Sequence, residues 1–198
     1  MNDTFSTASL DFMRFLSAFF AFVLQASVAL AAPATIPASA DVSVSGVFLH
    51  DRTSQERVLG ADISFDHDAD IPKAIYPSAD GREFLTVFTH PGGAGEISEF
   101  RVSYFVIEKR LAQHIKVKRF VSGKGIELGF AKSRVTSILG APSRQREEGG
   151  IVTLEYRLEE ADQAASNFLA HYKMPVYYGN YLFKNGRLVE FRFGFVYP

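Results

Sequence analysis

The 198-residue sequence contains no cysteine, which excludes disulfides, thiolate metal sites, thiol catalysis and lipidation at an N-terminal cysteine. It has no charge bias either. The 21 basic and 22 acidic residues become 20 of each once residues 1–31 are set aside, so bulk charge argues against a nucleic-acid partner. The N-terminal apolar run, Phe15 to Leu30, has sixteen positions, short of the roughly 20 a helix needs to cross a bilayer, so no stable membrane anchor is expected. Catalytic signatures are missing as well. His50, His67, His90, His114 and His171 show no His-Glu-x-x-His spacing, and there is no Gly-x-Ser-x-Gly elbow. Ser122-Gly123-Lys124-Gly125 lacks the upstream glycine of a phosphate loop, and these absences together argue against an enzyme or a cofactor protein. Asp62, Asp66, Asp68 and Asp70 with His67 suggest a calcium loop, but Ile71 stands where that loop needs glycine and Pro77 where it needs a bidentate Glu, so no metal is expected. What is present is a core-forming composition, 47% hydrophobic and 14% aromatic, which excludes a disordered or collagen-like chain.

From Met13 the chain reads MRFLSAFFAFVLQASVALAAP, with one Arg, an apolar stretch and small residues at Ala29-Leu30-Ala31. That is the layout of a signal peptide over 1–31. Asp3 and Asp11 precede a region that should be positive, which points to Met13 as the start of translation. The expected product is periplasmic or secreted and carries no lipid tether. Residues 32–41, beginning APATIPASA, read as a flexible arm.

The remainder repeats itself. GVFLHDRTSQERVLGAD (46–62) matches GIELGFAKSRVTSILGAP (125–142), and GEISEFRVSYF (95–105) matches GRLVEFRFGFV (186–196) with Glu-Phe-Arg in common. The expected fold is therefore α+β, with two tandem helix-plus-antiparallel-meander units, 42–122 and 123–198, sharing a sheet layered with short helices. In the first unit Thr53 and Glu56 have capping-box spacing before Val58 and Leu59. In the second, Val135, Ile138 and Leu139 share a helix face that Gly140 and Pro142 terminate. Strands are predicted over 83–89, 97–107, 115–121, 151–158, 176–184 and 187–197, with a short helix within 159–173. Asn185-Gly186 marks a two-residue type I′ hairpin.

Gly125 to Gly129, Val135 to Pro142, Gly149 to Arg157 and Tyr181 to Val189 together resemble the beta-lactamase inhibitory protein-like fold. The small lipoprotein of the outer-membrane barrel assembly machine belongs to the same fold group. The resemblance covers the second unit well and reaches the first through the repeat. It departs from the family at Phe130-Ala131 and at the cations Lys132 and Arg134, and the family's cysteines are absent. It implies a layer of helices on an antiparallel sheet that grips other proteins and performs no catalysis.

A regular hairpin at Asn185-Gly186 sorts its strands into two faces. Leu182, Val189, Phe191, Phe193 and Phe195 form one, assigned to the core beneath the Val135 helix. Tyr177, Tyr181, Phe183, Leu188, Glu190 and Arg192 form the other, which Glu99 and Arg101 extend. Tyr and Arg are the usual energetic anchors of protein interfaces. The expected partner is accordingly another envelope protein, bound through Tyr177, Tyr181, Phe183, Glu190, Arg192, Glu99 and Arg101. An envelope-polymer, lipid or small-ligand binder is the alternative, using a pocket or the basic run Lys109, Arg110, Lys116, Lys118, Arg119 and Lys124. Because Ile115 and Val117 alternate with Lys116 and Lys118, that run also reads as a lysine-guarded edge strand.

Overall fold

A computed structural model describes residues 36–67, 69–90, 95–105 and 115–197, apart from the side chains of Gln163 and Ala164. The expected leader, together with Lys109 and Arg110, lies outside the described residues. A small hairpin, β1 (Ser43–Val44) and β2 (Val47–Phe48), leads into helix α1 (Arg52–Leu59). Strands β3 (Lys73–Pro77), β4 (Phe84–Thr89) and β5 (Ile97–Ser103) follow. After an irregular stretch come α2 (Lys132–Leu139), β6 (Arg144–Glu148), β7 (Ile151–Glu159), α3 (Gln163–Tyr172), β8 (Val176–Lys184) and β9 (Arg187–Val196). The fold is α+β and mostly sheet, and among the described residues no helix is long and apolar enough to cross a membrane.

Seven strands form one antiparallel sheet in the order β3-β4-β5-β9-β8-β7-β6. Two meanders thus meet through the last strand of each, β5 beside β9. The hairpin between β8 and β9 turns where Asn185-Gly186 requires it, with φ of 52° and 71° at the two residues, the left-handed pair of a type I′ turn. Strands β3 and β6 were not predicted. Strand β6 has the sequence RQREE and is exposed throughout, so it carries no apolar alternation to betray it; pairing with β7 through the Gly149-Gly150 turn makes it a strand.

Helix α1 is capped by Asp51, whose carboxylate accepts from the Thr53 N–H. The Thr53/Glu56 capping box does not form, because Asp51 already occupies the cap and Glu56 turns to Arg52 at 2.7 Å, one helical turn away. Helix α2 buries Val135 and Leu139, as its spacing predicts. Both helices end on a glycine with positive φ, Gly60 at 99° and Gly140 at 81°, a conformation that side chains disfavour.

Three further expectations need correction. Residues 115–121 are not a strand: Val117 O accepts from Ala79 N, and Val121 O from Ser45 N, so their hydrogen bonds go to two separate segments and no ladder results. The described end of the expected arm belongs to the fold. Ala40 and Asp41 are buried; the Asp41 N–H donates to the Tyr177 hydroxyl, and its carboxylate accepts from Val42 N and Lys124 N. Finally, Phe195 does not lie under α2. It packs on Phe168 and Tyr172 of α3, with ring centroids 5.8 and 4.7 Å away. Helix α2 lies near β7, where the Tyr156 hydroxyl donates to Gly140 O. Phe193 sits between Phe100 and Phe191, wholly buried as expected.

Candidate functional site

Pairing in the β8–β9 hairpin starts regularly, with Lys184 opposite Arg187 and Phe183 opposite Leu188. The next pair is Leu182 with Glu190, so Val189 is an extra residue on β9. One inserted residue reverses the side-chain phase of everything beyond it. Tyr181 consequently faces Phe191 where a regular hairpin would give it Glu190. Tyr177, Tyr181 and Phe183 therefore point into the core beside Phe191, Phe193 and Phe195, and are 0%, 0% and 1% exposed. They belong to the core and not to an exposed face. The outward residues of β8 are instead Tyr178, Asn180 and Leu182, each half-buried.

Glu99, Arg101, Glu190 and Arg192 do share the outer face, and the fold brings them together at the β5–β9 seam. Arg101 stands directly opposite Arg192. Each guanidinium reaches diagonally to the other strand's carboxylate: Arg192 Nη2 donates to Glu99 at 2.8 Å with its Nε 2.6 Å from the other carboxylate oxygen, and Arg101 Nη2 donates to Glu190 at 2.7 Å. Such charge-assisted hydrogen bonds are stronger than neutral ones. Burial opposes the charge on Arg192, but the Glu99 carboxylate outweighs it and the guanidinium's pKa is raised. The Tyr178 hydroxyl also donates to Glu99, and burial followed by the Glu99 charge pushes that phenol well up. Between Tyr178 and Glu99 in the same cross-strand row stands Gly194, where β5 approaches so closely that it leaves no room for a side chain. Arg192 lies over Phe88 on one side and Tyr178 on the other, 5.5 and 5.9 Å from the ring centroids, within cation–π range.

From this seam the outward rows continue across β8 to β7 and β6. Asn180, Glu155 and Arg144 line up beside Arg192; Leu182, Thr153 and Arg146 line up beside Glu190. Arg146 pairs with Glu155 and Arg157 with Glu159, both at 2.6 Å. In the opposite direction Ile75, Thr86 and Ser103 occupy outward positions yet are buried, so the accessible area begins at the seam and runs to β6.

A second constellation escaped the sequence reading because its members are far apart in the chain. His50, at φ 55°, stacks near Tyr197 and lies edge-on to Phe195 and Tyr172. Its Nδ1 is 3.4 Å from Glu96, while Nε2 is buried without a hydrogen-bond partner among the described residues. Burial lowers its pKa, against the pull of Glu96. His90 stacks on Tyr197 at 3.8 Å between centroids. Among the described residues no group of three or more His, Asp or Glu side chains could hold a metal. Of the basic run, Lys116, Lys118 and Arg119 are exposed and Lys124 is half-buried.

Comparison with protein-family models, curated proteins and solved structures gave no match.

Proposed function

We propose that this chain is a non-enzymatic protein-binding module of the bacterial envelope, periplasmic or secreted, that grips another envelope protein through the outer sheet face between the β5–β9 seam and β6. The observation that carries the reading is the clamped cluster of Arg192, Glu99, Tyr178 and Phe88, with Leu182 and the β6–β7 ion pair Arg146–Glu155 beside it. An interface gains most from anchors whose side chains are already ordered, because little rotamer entropy remains to be lost. The interspersed Arg and Glu orient a partner and reject others by charge. Four of the residues singled out in the sequence, Glu99, Arg101, Glu190 and Arg192, belong to this face, and Tyr178 and Leu182 take the places assigned there to Tyr177, Tyr181 and Phe183.

The same proposal treats 42–122 and 123–198 as tandem copies, in keeping with the beta-lactamase inhibitory protein-like resemblance. In its support, α1 and α2 span eight residues each at an offset of 80. Tyr76 of β3 and Tyr156 of β7 stand at the same offset, both buried and both pushed up to about 12 by burial. Glu99-Phe100-Arg101 and Glu190-Phe191-Arg192 pair across the seam.

The test is crosslinking in the native envelope with the chain and with a Leu182→Ser, Arg157→Glu variant, both residues lying outside the clamped cluster. A discrete protein partner captured by the former and lost by the latter, at unchanged melting temperature, is the expected result. Full capture by the variant, or capture of glycan or lipid alone, overturns the reading. Intact mass of the exported product tests the leader separately; the expected mass lacks residues 1–31.

A further inference from the structure

The two meanders are finished differently at one end. Between β7 and β8 the connection is sixteen residues, 160–175, and carries α3, whose Phe168 and Tyr172 cover Phe195. Between β3 and β4 the connection is six residues, 78–83, and carries no helix. Tyr104, the residue that aligns with Phe195 when the two Glu-Phe-Arg segments are superimposed in sequence, is left half-buried on the wall of a cleft of about 700 Å³. Glu83 and Asp80 line the cleft from the turn, and Arg82, Lys118 and Arg119 bring three cations to it.

This cleft has fixed walls. Ala79 N–H donates to Val117 O at 2.8 Å, and Phe120 N–H donates to the Glu83 carboxylate at 2.8 Å. The turn and the 117–120 segment are thereby tied to each other across its base. Glu83 is buried and burial raises its pKa, while its carboxylate is engaged by the Phe120 N–H in this tie. Of the cations, Arg119 is held by Glu127 at 3.0 Å, and Arg82 lies only loosely against Asp80 at 3.7 Å. Lys118 is exposed and has no ion-pair partner among the described residues. Arg82, Lys118 and Arg119 line one cleft with a phenol in its wall, beside Asp80 and Glu83; a cation set of this kind suits a group that concentrates several negative charges, and guanidinium forks fit phosphate oxygens two at a time.

We infer that the cleft between the β3–β4 turn and residues 117–120 binds a phosphate-bearing ligand through Arg82, Lys118 and Arg119, with Tyr104 against its organic portion. The site is separate from the outer face of the sheet and does not depend on what that face binds.

Calorimetric titration of pyrophosphate into the full chain at low ionic strength is the first arm, and cosedimentation with phosphatidylcholine vesicles containing phosphatidylglycerol is the second. The expected result is saturable binding in at least one arm, weakened tenfold or more by Arg82→Ala with Lys118→Ala, and changed less than twofold by Arg144→Ala on the far sheet edge. Pyrophosphate binding without vesicle binding assigns a soluble phosphate compound, and vesicle binding assigns a lipid headgroup. Melting curves establish that the double variant is folded; both of its substitutions are at exposed side chains. Absence of saturable binding in both arms overturns the inference, and so does binding that the double substitution leaves unchanged.

Discussion

Arg101 and Arg192 face each other at the centre of the sheet, each neutralised by a glutamate from the other's strand. Two cations directly opposite on an antiparallel pair repel, so the glutamates two residues before each arginine are what make the arrangement stable. The pairs are unequal in burial. Glu99 has 9% of its side chain exposed and Glu190 has 18%. Removing Arg192 leaves the more buried carboxylate uncompensated. Arg192→Ala should cost about 2 to 3 kcal/mol, below the range for a fully buried pair because the guanidinium is itself partly solvated. Arg101→Ala should cost less than Arg192→Ala. Urea denaturation of the two variants measures the order, and equal losses would mean that the pairs are equivalent.

Gly194 sits where the seam closes most tightly. A Cβ built there would lie 2.5 Å from Ser98 O and 2.8 Å from the Glu99 Cα, and both are backbone atoms that cannot swing aside. Gly194→Ala should therefore push β5 from β9 and cost about 2 kcal/mol or more, at the upper end of ordinary substitutions. It should also detach Tyr178 from Glu99, visible as a downward shift of the Tyr178 ionisation in ultraviolet titration. A variant with unchanged stability would place the two strands farther apart than described.

Tyr177 and Tyr181 are both wholly buried, but only one hydroxyl is used. The Tyr177 hydroxyl accepts from Asp41 N–H at 2.8 Å, whereas the Tyr181 hydroxyl has no hydrogen-bond partner among the described residues. A buried polar atom left unpaired costs about 1 to 3 kcal/mol. Tyr181→Phe should thus be neutral or stabilising, and Tyr177→Phe should destabilise by about 1 to 2 kcal/mol through the orphaned Asp41 amide. Paired denaturation curves decide it; a loss at Tyr181 equal to that at Tyr177 would reveal a partner for the second hydroxyl.

Much of this architecture was legible in local signals. Gly140, Pro142 and the Val135/Leu139 spacing set α2, Asn185-Gly186 set the central hairpin, and the repeated Glu-Phe-Arg put its charges on one face of the sheet. What escaped had no local signal. The bulge at Val189 occupies a Leu-Val-Glu-Phe stretch that alternates plausibly in either phase, so nothing before pairing decides which aromatics turn inward; Leu188 and Phe191, both buried and three apart, are its only trace. Strand β6 is all polar and acquires its conformation from β7. His50, Glu96 and Tyr197 converge only through the sheet, since the His50 N–H donates to Ile97 O.

That histidine cluster gives the last prediction. Burial lowers the His50 pKa from its usual value, against the opposing Glu96 charge. The surrounding rings come from three elements: Tyr172 at the end of α3, Phe195 in β9 and Tyr197 after it, with His90 stacked on Tyr197 from the end of β4. Glu96 is the carboxylate facing the imidazole, and Asp51 faces Tyr172 from the start of α1. Because the unfolded chain binds the proton more tightly than the folded one, the linkage slope is positive. The contribution of His50 to stability is complete above about pH 6.5, its unfolded value, and is lost as the pH falls toward the lowered folded value. His50→Gln carries no titrating proton, so its melting temperature should fall less steeply than the parent's between about pH 6.5 and pH 5. Thermal melts of both chains across that interval check this, and parallel slopes would show that the imidazole takes up its proton equally readily in the folded and unfolded chains.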